Sequence, residues 1–89
     1  MVSVELETHE IRSRKEFEGL KHARAGVIVN VDTPTSRATA HRPSCEYLSV
    51  GHFETKVIAN EGRTGGYYYF LRAKDARTAL GAEFCEVCR

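Results

Sequence analysis

A chain of 89 residues with 42% hydrophobic residues, 28% charged residues and a formal net charge of +1 has room for one compact domain and excludes two. A core of that size is marginal by itself and small domains often add a metal or disulfides, which directs attention to the three cysteines. The longest apolar runs, Val27–Val29 and Tyr67–Leu71, fall far short of the ~20 residues of a membrane-spanning helix. Met1 to Glu7 carries acids where a secretory leader carries bases, and no apolar stretch follows, so a cytoplasmic protein is expected.

Val2, Val4 and Leu6 alternate with Ser3, Glu5 and Glu7, the period of two of a half-buried strand. Ser13-Arg14-Lys15-Glu16 has the capping-box pattern, which starts a helix there. Phe17, Leu20 and Ala23 or Arg24 give that helix its buried stripe, and Gly26 stands where a stop is expected. From Ala25 to Asp32, valines at 27, 29 and 31 face one way and Ile28 and Asn30 the other, a central strand rich in β-branched residues. Asp32-Thr33-Pro34-Thr35-Ser36 is turn chemistry, so a returning strand follows around Arg37 to His41. Thr55–Ala59 and Tyr67–Leu71 are further strand candidates joined by a glycine-rich connection, which predicts a hairpin. Ala73, Ala76 and Leu80 then repeat at helical spacing, with Gly81 as the stop.

The chemistry-bearing residues come in two pairs. His41 and Cys45 are separated by three residues and Cys85 and Cys88 by two, with 39 residues between the pairs. Two close pairs from distant segments are the usual way to supply four ligands to tetrahedral zinc. Three cysteines would leave one thiol over in a disulfide framework, whereas three thiolates and one imidazole use them all. A reactive zinc-thiolate, and a metal-free Cys85/Cys88 redox pair, are the other readings of the same residues.

His41-Arg42-Pro43-Ser44-Cys45 resembles the C-R-P-S-C segment of the Ada-type metal-binding domain, the zinc module of bacterial DNA methylphosphotriester repair proteins. The tail is similar too: an aromatic strand at Tyr69-Phe70, an alanine-rich helix from Ala73 to Leu80, Gly81, and Phe84-Cys85-Glu86-Val87-Cys88 as the C-x-x-C knuckle. The likeness covers about residues 38–50 and 67–89. Residues 1–35 have no counterpart, and the longer connection between the ligand pairs is assigned to an extra hairpin around 51–66. The resemblance implies zinc on His41, Cys45, Cys85 and Cys88. It also places His41 where the family has its methyl-accepting cysteine. A zinc-bound imidazole has already given its available lone pair to the metal, so alkyl transfer is not expected and no catalytic residue is assigned.

Zinc bound by three thiolates would bring the formal charge from +1 to zero. Between Arg37 and Arg77 there are nevertheless seven bases against four acids, and Arg42 lies between two of the ligands. Arg42, Arg63, Arg72 and Arg77 are the candidates for a phosphate-binding patch; a solvated surface is the plainer reading, because phosphate contacts need clustering. Tyr67 to Phe70 reads as a strand with aromatic residues on both faces, rather than a base-stacking platform. His9, His22 and His52 are spare imidazoles, and Glu5, Glu7 and Glu10 form no catalytic carboxylate pair.

The sequence thus predicts one domain over residues 1–89, α+β in class, with a small mostly antiparallel sheet and a helix near each end, stapled by zinc. Its expected role is a zinc module touching the DNA backbone without alkyltransferase activity. A structural zinc protein binding another protein, and a zinc-thiolate or thiol enzyme, are the alternatives.

Overall fold

The computed structural model describes residues 9–86. The strand expected over Val2 to Leu6, and Cys88, lie outside these. Their chain order is β1 (His9–Ile11), α1 (Arg14–Leu20), β2 (Val27–Asp32), β3 (Arg37–His41), α2 (Val50–Phe53) running directly into a π-helical segment (Glu54–Ala59), β4 (Gly65–Phe70), α3 (Ala73–Leu80) and β5 (Glu83–Phe84). The five strands form one sheet in the order β1-β4-β2-β3-β5. All neighbours are antiparallel except β3 and β5, which are parallel. The chain is therefore α+β with a small, mostly antiparallel sheet. Among the described residues no helix is long and apolar enough to cross a membrane.

The valine alternation makes β2 the middle of the sheet, because successive side chains enter opposite cores. Ile28 joins Ile11, Tyr67, Phe17 and Phe53 under α1 and α2, whereas Val27 and Val29 join Ala40, Phe70 and Ala76 under α3. The aromatic strand divides in the same way: Tyr67 and Tyr69 belong to the first cluster, Phe70 and Tyr68 to the second. Phe17 and Phe53 stack with ring centroids 4.7 Å apart, and Tyr67 meets Phe17 edge-on at 5.3 Å. These three rings lock α1 and α2 onto one face.

Ser13 caps α1 as its sequence foretells, its side chain accepting from the Glu16 amide at 3.1 Å. Glu16 reaches back one residue further than a standard box, to the Arg12 amide at 3.2 Å. The helix ends at Leu20, earlier than expected, and Gly26 has a different task. With φ at +94° it lies beneath the Tyr69 ring, whose hydroxyl donates to the Ala25 carbonyl at 2.7 Å; a Cβ there would meet Tyr69 Cζ at 2.6 Å.

The largest departure is at Thr55–Ala59, which is helical and not a strand, so no hairpin spans residues 51–66. Ser49 caps α2 by accepting from the His52 amide at 3.2 Å, and the helix so started runs on through the β-branched residues. Tertiary bonds hold it: Lys56 Nζ, on the π-helical segment, donates to Asn30 Oδ1 at 2.8 Å and to the Val31 carbonyl at 3.2 Å. Tertiary contacts of this kind override a local β preference.

Candidate metal centre

The turn after β3 and the end of β5 bring three ligand types together. His41 closes β3, and Cys45 follows in a turn held by its own amide donating to the Arg42 carbonyl at 2.9 Å. β5 pairs in parallel with β3, Thr39 opposite Glu83 and Ala40 opposite Phe84, so one step further on Cys85 stands beside His41. The Cys85 amide donates to the Ala40 carbonyl at 2.8 Å and fixes that placement.

The potential ligand atoms of His41, Cys45 and Cys85 all lie within 4.8 Å of one another, and all three residues are buried. This group can hold a metal ion. Tetrahedral coordination at zinc bond lengths needs ligand atoms roughly 3.4–3.8 Å apart, so small side-chain rotations close the set. Cys88, the fourth ligand expected from the sequence, lies outside the described residues.

One atom tests the fit. His41 Nδ1 is buried and has no hydrogen-bond partner among the described residues. A buried polar atom left unsatisfied costs about 1–3 kcal/mol. A metal accepting that lone pair removes the cost, and burial already pushes the imidazole below the usual histidine range, toward the neutral form that ligates. The donor set and the orphaned nitrogen thus agree.

His41 and Cys85 also form one end of an open cleft of about 720 Å³ along the same sheet face. Asn30, Thr39 and Glu83 line the cleft, with Tyr47, 60% exposed, also on its wall. His52 lines it too, while His22 is exposed and His9 pairs with Glu16 at 2.5 Å.

The four candidate phosphate-binding arginines are not brought to one place. Arg42 follows His41, which pairs with Ile28, and Arg72 comes two residues after Phe70, which pairs with Val27, so both leave the same end of the sheet. Arg63 lies two residues before Gly65, which pairs with Asp32 at the opposite end, and it forms an ion pair with Glu61 at 3.2 Å. Arg77 is exposed on α3, which covers the other sheet face from the metal-ligand group. What sequence reasoning missed is the helical 54–59 segment and, through it, the half-buried Lys56; a serine cap at Ser49 was the available signal.

Compared with protein-family models, with curated proteins and with solved structures, the chain matches none of them.

Proposed function

We propose that this chain is a zinc-binding module in which His41, Cys45 and Cys85 hold the ion and Cys88 completes the set. The observation that carries this reading is the convergence of an imidazole and two buried thiols from segments 40 residues apart on a site with an unpartnered buried nitrogen. Thiolate and imidazole together select zinc over the hard cations, which take oxygen ligands. Zinc here would tie the segment at the end of β5 to the end of β3 and the turn that follows it. It would close the long segment between Cys45 and Cys85, a staple of the kind a domain this small gains most from. The resemblance to the Ada-type domain supports the same ligand set. With imidazole in the acceptor position, the module binds rather than transfers alkyl groups.

Metal content by native mass spectrometry tests the reading, on protein purified without a metal-affinity tag. One zinc per chain is expected, lost or loosened in His41→Ala, Cys45→Ser and Cys85→Ser. Protein that takes up no zinc, or holds it indifferently to these changes, overturns it.

The partner we favour for the module is the nucleic-acid backbone, met by Arg42 and Arg72 at the shared sheet end. Two phosphate contacts give a dependence of log affinity on log salt of about −1.8, against about −3.6 for four. Salt-insensitive or absent binding to duplex DNA rejects this partner and leaves a protein ligand as the alternative.

A further inference from the structure

The segment with no counterpart in the resemblance reaches into the metal-ligand turn. Phe17 is fully buried against Phe53, and this anchors α1 over the sheet. The helix is capped by Lys21, whose half-buried side chain crosses to the turn that carries Cys45. Its ammonium donates to the Leu48 carbonyl and lies 3.5 Å from the carbonyl of Cys45 itself. Those two carbonyls belong to the ends of one turn, because the Leu48 amide donates to the Cys45 carbonyl at 3.0 Å. Among the described residues no carboxylate pairs with Lys21. A lysine that covers its helix end and spends its charge on a ligand-bearing turn is doing more than solvating a surface.

We propose that Lys21 is a positioning residue of the metal centre: its ammonium clamps the Cys45–Leu48 turn, so the N-terminal helix sets how tightly the ion is held. The inference rests on the zinc reading above. Groups that orient a metal ligand without touching the metal change affinity by 10–100-fold when removed. The clamp holds the Cys45 backbone in the geometry the ligand needs before metal arrives.

The test is zinc affinity of the full chain, measured by competition with a chromophoric chelator, for wild type, Lys21→Met, Lys21→Arg and Leu20→Ala. Leu20 packs against the same core cluster one residue away and touches neither carbonyl in the hydrogen-bond network, so it reports general loosening of α1. Lys21→Met is expected to weaken zinc 10–100-fold, Lys21→Arg to recover most of the loss, and Leu20→Ala to change affinity less than threefold. The thiolate-to-metal absorption of the cobalt-substituted protein should change in Lys21→Met and not in Leu20→Ala. Affinity within threefold of wild type in Lys21→Met overturns the proposal, as does an equal loss in Leu20→Ala. A wild type that binds no zinc overturns the metal reading and this inference together, and is recognised by wild-type behaviour alone.

Discussion

The amide of Cys85 donates to the carbonyl of Ala40 at 2.8 Å, and through this bond a cysteine near the end of the chain comes to stand beside His41. The pairing behind it is the one parallel contact among the described strands, and it is only two residues long. So short an edge strand has little stability of its own. In the zinc reading, metal and strand would support each other: the strand delivers Cys85 to the ligand group, and a bound ion would hold the strand to the sheet.

Zinc should therefore stabilise the fold measurably. A ligand at 100 times its dissociation constant adds about 2.7 kcal/mol, and each kcal/mol raises Tm by about 4–8 °C in a domain of this length. Calorimetry of the zinc-loaded chain, before and after EDTA, is expected to show a loss on the order of 10 °C. An unchanged Tm would mean that the thiols and imidazole meet without holding metal.

Two glycines with positive φ are expected to differ sharply when replaced. At Gly65, φ is +138° and a Cβ would overlap the Val31 carbonyl across the β2–β4 pairing, whereas at Gly81, φ is +66° and a Cβ meets open space. Gly81→Ala should cost only the left-handed strain, about 1–2 kcal/mol. Gly65→Ala adds a backbone overlap and should cost clearly more. Urea midpoints at constant m-value compare them; equal losses would refute the assignment of close approach at Gly65.

Phe17 is the cornerstone of the cluster beneath α1, fully buried and in ring contact with both Phe53 and Tyr67. Phe17→Ala should cost about 3–5 kcal/mol, a large share of the 5–15 kcal/mol typical of whole domains. Leu71, 71% exposed, should lose no more than about 0.5 kcal/mol on the same replacement. Chemical denaturation of the two variants checks the contrast.

The buried Tyr67 phenol carries a pH signature. Burial pushes its pKa above the ordinary value of 10.0, so the folded chain keeps the proton that the unfolded chain releases. The stability this gives is fully present below pH 10 and is lost as pH rises from there through the folded value. Tyr67→Phe removes the titration, and its stability should fall less steeply above pH 10 than that of wild type. Parallel alkaline curves would show that Tyr67 does not govern the loss.

Much of this architecture is legible in the sequence because it is set by contacts near in the chain. Ser13 starts a helix through its own hydroxyl and Gly81 ends one through its own left-handed φ of 66°. The alternation in Val27–Asp32 and in the tyrosine run assigns residues to two cores before any partner is known, since the pleat alone decides it. The pairs His41/Cys45 and Cys85/Cys88 are likewise visible as spacing. Other features were decided by the tertiary structure. Thr55–Ala59 has the residues of a strand and becomes helical, because a capped turn precedes it and Lys56 finds its acceptors on β2. Gly26 was expected to stop a helix, and it is needed instead where a ring from β4 crosses it. The arginines that are candidates for one phosphate-binding patch part company because strand direction sends Arg63 to one end of the sheet and Arg42 and Arg72 to the other. Only the parallel pairing of β3 with β5 turns two cysteine-bearing segments into one site, for no local property of either segment specifies which edge of the sheet the chain returns to.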